Sequence, residues 1–390
     1  MIQLAVRFTE QFHTAPTHLF SAPGRTELGG NHTDHQHGRV LAAAVELDTR
    51  AAAALNGTSL IRVLSEGYPL CQVDLRDLTP RPEEQNTTAA LIRGVAAGFV
   101  NRGCMLRGFD ACVTSTVLPG SGLSSSAAFE VLVGTALNCL SGCGLDAVEI
   151  AKIAQYAENV YFGKPCGLMD QMTSSVGGCV AMDFSDPAAP VVERVDFDFS
   201  HCGHALVIVD SGASHADLTD QYAAIPAELG AVCALFGKTV LRDVPEAEFL
   251  SRLPEVRVAV GDRAVLRALH VYDENRRVDV QVDALRRGDF DSFLHDVNLS
   301  GLSSQNLLQN VIPAGAAAHQ EVALALALAR RLLGGRGACR VHGGGFAGTI
   351  QAFVPENMLI SFRDGMESVL GRGVCHVLAI RPTGGTVQLL

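Results

Sequence analysis

The chain has 390 residues, of which 48% are hydrophobic and 18% charged, and its formal net charge is −11. This length and composition suit two domains with sizeable cores and exclude an intrinsically disordered chain. The acidic balance argues against a nucleic-acid-binding surface, and the sequence lacks the run of about 18 apolar residues that would predict a membrane span.

Hydrophobic periodicity predicts strands and helices that alternate along the chain. In the first half, the expected strands are 39–56 (interrupted near 47–49), 60–63, 71–75 and 109–118, and the expected helices are 87–99, 127–140 and 145–162. In the second half, the expected strands are 205–210, 350–354 and 374–380, and the expected helices are 227–236, 264–285 and 319–333. Strands mixed with long helices in both halves predict an α+β fold.

The segment 185–205 contains prolines and several aspartates, which is typical of a connection between domains. We therefore expect two domains, 1–200 and 201–390. The eleven cysteines are dispersed and form no Cys-x-x-Cys pair. This pattern argues against a structural zinc site and predicts buried thiols in a reducing cytoplasm.

The most informative segment is the Gly- and Ser-rich run at 118–128, which reads LPGSGLSSSAA between a predicted strand and a predicted helix. Glycines let backbone N–H groups converge on an anion, and the following helix adds the positive end of its dipole. The run is not a Walker loop, because no Gly-Lys-Ser/Thr follows the glycines. It predicts a phosphate-binding loop, although a Ser-capped helix start explains the same residues when the loop is taken alone.

Three further segments carry Gly, His and acidic residues in a distinctive order. They read SAPGRTELGGNHTDHQHG at 21–38, PCGLMDQ at 165–171 and VHGGGFAGT at 341–349. Together with the loop, they resemble the galactokinases of the GHMP small-molecule kinases, and the resemblance runs from about residue 16 to the end. It implies a two-lobed α+β fold with the active site between the lobes, and phosphorylation of galactose at its anomeric hydroxyl with ATP and Mg²⁺.

The resemblance also implies residues for phosphoryl transfer. The expected ATP contacts are Pro119, Gly120, Ser121, Gly122, Leu123, Ser124 and Ser125, with Gly344 and Gly345 of the third glycine-rich motif. Ser126 and Glu158 would bind Mg²⁺, an ion that prefers hydroxyl and carboxylate oxygens. Asp170 would orient or deprotonate the acceptor hydroxyl, and Arg25 would keep that carboxylate ionised. Without its flanking motif, Asp170 would read as a helix cap.

For the sugar, the resemblance implies five contacts: Asn31, His32, Asp34, Gly167 and Tyr222. A carboxylate accepts hydrogen bonds from two adjacent hydroxyls, so Asp34 suits the reading of stereochemistry at neighbouring carbons. Tyr222 is equally compatible with half-buried packing. The histidines around Asp34 have metal-ligand chemistry, but their spacing matches neither His-Glu-x-x-His nor half of a zinc finger.

Two residues depart from the pattern of most galactokinases, which carry Glu where this chain has Asn31 and Tyr where it has His35. The neutral Asn31 removes repulsion against a 6-carboxylate and so leaves galacturonate open as the sugar, and N-acetylgalactosamine is a further alternative. Phosphorylation of mevalonate or homoserine would explain His32 and Asp34, the two candidate readers of hydroxyl groups, less well than phosphorylation of a sugar does. A non-catalytic sensor of galactose and ATP is another alternative, which the intact serines, Glu158 and Asp170 disfavour. We expect a cytoplasmic monomer that acts on small molecules and binds neither nucleic acid nor membranes.

Overall fold

The computed structural model describes residues 2–118, 122–213 and 218–390, and it contains an eight-stranded and a four-stranded sheet. The strands are β1 (His18–Gly29), β2 (Arg39–Leu55), β3 (Leu60–Ser65), β4 (Cys71–Asp74), β5 (Phe109–Ser115), β6 (Cys179–Asp183), β7 (Val191–Val195), β8 (His204–Ala213), β9 (Ala338–Val341), β10 (Gly348–Pro355), β11 (Cys375–Leu378) and β12 (Thr386–Leu389). The helices are α1 (Ile2–Phe12), α2 (Thr88–Val100), α3 (Ser125–Ser141), α4 (Ala147–Tyr156), α5 (Met169–Val176), α6 (Thr219–Ala234), α7 (Glu246–Ser251), α8 (Leu253–Val260), α9 (Asp262–Arg286), α10 (Phe290–Ser303), α11 (Glu321–Leu333) and α12 (Leu359–Leu370).

The long strand β2 organises the first sheet. It pairs with β1 along most of its length, while its first part pairs with β6 and its second part with β5. The path of the sheet is β12-β1-β2-β5-β3-β4, and β7 extends it beyond β6. The β3–β5 pair is parallel, and the second sheet has the antiparallel order β11-β8-β10-β9.

Helices α2, α3 and α4 cover one face of the first sheet, because each presents an apolar stripe to it. Thr87 and Asp146 cap α2 and α4 by accepting hydrogen bonds from the backbone N–H groups of Ala90 and Glu149. A second core lies where the two sheets meet α9 and α10, and it includes Leu41 of β2. Burying a side chain of this size stabilises the fold by about 1.5–3 kcal/mol, so this shared core holds the lobes together.

The predicted α+β fold is confirmed, with two sheets and helices in both lobes. We use "first lobe" for the first sheet with α1–α5 and "second lobe" for the second sheet with α6–α12. A division at residue 200 falls just before β8, but the last strand, β12, returns to pair with β1. The segment 201–390 therefore contributes a strand to the first sheet, because the free edge of β1 accepts it.

Several predicted boundaries differ from the structure for physical reasons. The interrupted 39–56 region is a single strand, since its Ala-rich part is buried on both faces. Helix α6 begins at Thr219 rather than 227 and carries Pro226 inside it, where proline normally argues against a helix. The predicted helix 145–162 ends as a π-helical turn, Ala157–Phe162. Within the described ranges, no helix is both long and apolar enough to cross a membrane.

Candidate active site

A bidentate ion pair between Arg25 of β1 and Asp170 of α5 lies where the first sheet meets the helices. Arg25 Nε donates to Asp170 Oδ1 and Arg25 Nη2 donates to Asp170 Oδ2, each at 2.7 Å. Burial alone would raise the pKa of Asp170, but the charge and hydrogen bonds of Arg25, with a hydrogen bond from Ser124, lower it below its usual range. The carboxylate is therefore ionised and aimed by the guanidinium plane.

The end of the predicted phosphate loop is held against the same arginine. Arg25 Nη1 donates to the Gly122 carbonyl, and the Arg25 backbone N–H donates to the Leu123 carbonyl at 3.0 Å. Gly122 has φ of 74° and Ser124 has φ of 57°, so the chain turns sharply before Ser125 begins α3. This turn places the helix N-terminus beside the ion pair, while Pro119, Gly120 and Ser121 lie outside the described residues.

The two predicted magnesium ligands lie next to each other. Ser126 Oγ donates to Glu158 Oε1 at 3.1 Å across the interface between α3 and the π-helical turn. Lys164 Nζ is 3.3 Å from the same carboxylate oxygen, and its side chain is 62% exposed. Because a hydroxyl and a carboxylate oxygen are the hard donors that Mg²⁺ prefers, and the lysine is free to move toward solvent, these two groups fit the ion.

Two residues that the sequence analysis missed, Gln171 and Glu130, lie beside Glu158. Gln171 Nε2 donates to Glu158 Oε2 at 2.7 Å and to Glu130 Oε2 at 3.1 Å. Burial, with the neighbouring Glu158 charge, raises the pKa of Glu130 well above its usual range and favours its neutral form. The available signal was the helical spacing of Glu130, four residues after Ser126 and so on the same face of α3.

The predicted sugar residues Asp34 and Gly167 are in direct contact. A Cβ built on Gly167 would lie 1.8 Å from Asp34 Oδ2, so only glycine fits beside this carboxylate. Burial raises the pKa of Asp34 to about 6, and the nearby Asp170 adds to this effect. The structure therefore brings the predicted sugar carboxylate and the predicted catalytic carboxylate together.

The other predicted sugar residues, His32 and Tyr222, are tied to the glycine-rich motif of the second lobe. His32 Nε2 donates to the Gly344 carbonyl at 3.0 Å, and the Tyr222 hydroxyl donates to the Gly345 carbonyl at 2.7 Å. A Cβ on Gly344 would lie 2.7 Å from the Tyr222 ring. The motif and its two polar neighbours thus form one wall that joins the lobes.

Asn31 is placed differently from the expectation. Its side chain is completely buried, and it donates to Glu27 Oε1 and to the Gly343 carbonyl while accepting from Ser304 and Asn310. These contacts occupy both N–H groups and both lone pairs of the amide. Contrary to the expectation, the structure presents no open hydrogen-bonding position of Asn31 to a sugar.

Two of the histidines near Asp34, His32 and His35, are in hydrogen-bond contact with each other. His35 Nε2 is 3.2 Å from His32 Nδ1, and burial with the neighbouring His32 lowers the pKa of His35 to about 3. Both rings are therefore neutral near pH 7. Among the described residues, no group of three His, Cys, Asp or Glu side chains is arranged to hold a metal ion.

The sequence of the chain is similar to those of known galactokinases. Two family models match the chain, the galactokinase galactose-binding signature over residues 6–55 and the GHMP kinases N terminal domain over residues 90–178. A galactokinase of Glaesserella parasuis serovar 5 is 30% identical over 368 residues, which cover 92% of this chain and 90% of that protein. A galactokinase of Streptomyces coelicolor is 34% identical over 288 residues, 73% of each chain.

The fold is also that of a solved structure. The crystal structure of Lactococcus lactis galactokinase complexed with galactose superposes with a TM-score of 0.83 at 24% identity and covers 99% of each chain. The similarity thus includes both lobes and the junction between them, where the ion pair and the glycine-rich motif lie.

Proposed function

This chain belongs to the galactokinase family, and from this premise we propose that Arg25 and Asp170 direct the transfer of the γ-phosphoryl group of ATP to the anomeric hydroxyl of galactose. The observation that carries the proposal is the bidentate pair itself, because the same arginine also binds the end of the loop at Gly122. The group that orients the acceptor is thereby fixed relative to the expected phosphate site.

In the proposed reaction, the anomeric oxygen of galactose bonds to the γ-phosphorus while the bond from that phosphorus to the bridging oxygen of ATP breaks. The products are galactose 1-phosphate and ADP, and the hydroxyl proton passes to the Asp170 carboxylate and then to water. A carboxylate with a lowered pKa is a weak base, so Asp170 mainly orients the hydroxyl and takes the proton late.

Mg²⁺ is proposed to enter as part of the MgATP substrate. Ser126 and Glu158 would hold it through their hydroxyl and carboxylate oxygens. When bound, the ion would supply positive charge against the phosphates of ATP. Glu158 is almost fully buried, and its fixed hydrogen bonds orient its carboxylate toward Ser126.

We propose that Asp34 accepts hydrogen bonds from two neighbouring sugar hydroxyls and that Gly167 lets the sugar approach the backbone. His32 and Tyr222 would form the wall contributed with the glycine-rich motif. The ATP phosphates would lie between Gly122–Ser125 and the strip at Gly344 and Gly345. We propose galactose as the sugar, because the Asp34 carboxylate can accept from two adjacent hydroxyls and so distinguish the stereochemistry of neighbouring carbons.

An ATP-consumption assay with Mg²⁺ tests the proposal. We expect turnover that depends on galactose, with galacturonate, N-acetylgalactosamine, glucose and mevalonate as the comparison acceptors. Turnover that is fastest with another acceptor would reassign the substrate, and galactose binding with no turnover would point to a sensor. We further propose that the protein is a cytoplasmic monomer. Sedimentation of the purified chain tests the oligomeric state.

A further inference from the structure

The amide of Asn31 is oriented by its four partners. Its Nδ2 is 3.0 Å from Glu27 Oε1 and 2.8 Å from the Gly343 carbonyl, two acceptors. Its Oδ1 is 3.1 Å from Ser304 Oγ and 2.9 Å from Asn310 Nδ2, both of which donate. Because the acceptors lie on one side and the donors on the other, only an amide in this orientation satisfies every group.

The backbone of Asn31 is held from the second lobe as well. His270 Nε2 donates to the Asn31 carbonyl at 2.9 Å, and the Asn31 N–H is 3.4 Å from Glu274 Oε1. Both partners lie on α9 and are completely buried. Burial would raise the pKa of Glu274, but the nearby His270, Arg277 and Arg340 with a hydrogen bond from Ser300 lower it to about 2, so an ionised carboxylate receives this N–H.

The residues beside Asn31 complete a continuous connection to the glycine-rich motif. His32, the next residue, has φ of 60° and donates to the Gly344 carbonyl, while Asn310 donates to that same carbonyl at 3.1 Å. Asn31 itself donates to the preceding carbonyl, that of Gly343. The turn that leads into Asp34 is therefore fastened to the second lobe at two consecutive carbonyls.

We propose that Asn31 is a positioning residue that locks the turn carrying His32 and Asp34 onto the second lobe and does not touch the sugar. This inference rests on the proposed sugar-binding role of that turn. A carboxylate at position 31 would have no N–H to give to Glu27 or Gly343 and would place negative charge against both oxygens. The amide at this position is thus required by its protein partners, and the sugar C6 substituent is not read by residue 31.

Galactose and 6-deoxygalactose distinguish a lock from a sugar contact. In Asn31→Ala, we expect kcat/KM to fall for both sugars by the same factor, about tenfold or more for the loss of buried hydrogen bonds. A direct contact to the 6-hydroxyl predicts instead a loss for galactose alone, so that the preference for galactose disappears. That result would overturn the proposal.

Ser304→Ala is the milder partner variant, because it removes one donor to Asn31 Oδ1 from a buried site. We expect a smaller, parallel loss for both sugars and non-additive effects with Asn31→Ala on the thermal midpoint and on kcat/KM. Additive effects would overturn the lock. In Asn31→Asp, the midpoint should fall below that of Asn31→Ala, and a midpoint equal to wild type would also overturn it.

The failure of the proposed function has a different signature. If the wild-type chain phosphorylates neither sugar, the galactose kinase proposal is wrong. The double-mutant cycle between positions 31 and 304, measured on the thermal midpoint, still tests the lock by itself. If wild type acts on galactose but not on 6-deoxygalactose, the inhibition constant of 6-deoxygalactose against galactose replaces its kcat/KM in the comparison.

Discussion

The side-chain amide of Gln171 donates to the carboxylate of Glu158 at 2.7 Å, and Gln171 directly follows Asp170 in α5. The first turn of this helix therefore presents its aspartate to Arg25 and its glutamine to the expected magnesium ligand. Gln171 is completely buried, so its rotamer is set by packing and by the two acidic side chains that it joins, Glu130 and Glu158. One helix turn thus fixes the proposed acceptor-orienting group, Asp170, relative to the proposed magnesium ligand, Glu158.

Gln171→Leu should weaken the use of magnesium while leaving galactose binding intact. Without the amide donor, Glu158 loses the hydrogen bond that orients its carboxylate, and such outer contacts are worth roughly 10–100-fold in metal affinity or activity. The measurement is the Mg²⁺ dependence of turnover at fixed ATP, with the dissociation constant of galactose as the control. An unchanged Mg²⁺ dependence would contradict this role of Gln171.

Arg25→Lys should lower kcat by about 100-fold even though the charge is kept. A lysine ammonium cannot make two parallel hydrogen bonds to Asp170 and also bind the Gly122 carbonyl, so the carboxylate loses its fixed plane. Steady-state kinetics with galactose and MgATP measure the effect. Activity within about threefold of wild type would mean that charge alone, without geometry, suffices at this position.

The pH dependence should separate the two carboxylates of the site. Asp34 has a pKa raised to about 6, so it becomes protonated as the pH falls through 6 and loses its capacity to accept from sugar hydroxyls. The pKa of Asp170 is lowered, so Asp170 stays ionised over that window. We expect kcat/KM for galactose to decline below about pH 6, and this limb should be missing from the residual activity of Asp34→Asn.

Gly167→Ala should raise the KM for galactose without reducing the thermal midpoint greatly. Its new methyl group would overlap Asp34 Oδ2, so the carboxylate must move away from the sugar position. Gly230→Ala is a matched control, since Gly230 lies in α6 with open space around its would-be Cβ. That control should keep wild-type KM and gain about 0.5–1 kcal/mol of stability.

The structure brings together several of the residues that the motifs singled out, and their roles remain predictions. Arg25 and Asp170 are 145 residues apart in the chain, yet each lies in a recognisable segment, and the structure pairs them as expected. The Ser126–Glu158 contact follows in the same way from two helices that pack together. Periodicity also predicted most strands and helices that have one apolar face.

The sequence could not predict how Asn31 would be used. Its partners lie on α9, in the turn after α10 and beside β9, and only the packing of the two lobes brings them together. An isolated Asn in a polar motif resembles a ligand contact, whereas four saturated hydrogen bonds in a buried position indicate a structural connection. Likewise, Pro226 argues against a helix in the sequence, so the first turns of α6 were not predicted. The helix continues through the proline because tertiary packing outweighs its local cost.

The most direct test of the account is Asp170→Asn, assayed for both turnover and galactose binding. The amide has nearly the same shape as the carboxylate, but it is uncharged, its N–H group cannot accept from Arg25 or from the acceptor hydroxyl, and it cannot take the hydroxyl proton. We predict that kcat falls by at least about 1,000-fold, while equilibrium dialysis finds galactose bound as tightly as by wild type. A variant that keeps kcat within tenfold of wild type would contradict the claim that the Arg25–Asp170 pair directs phosphoryl transfer.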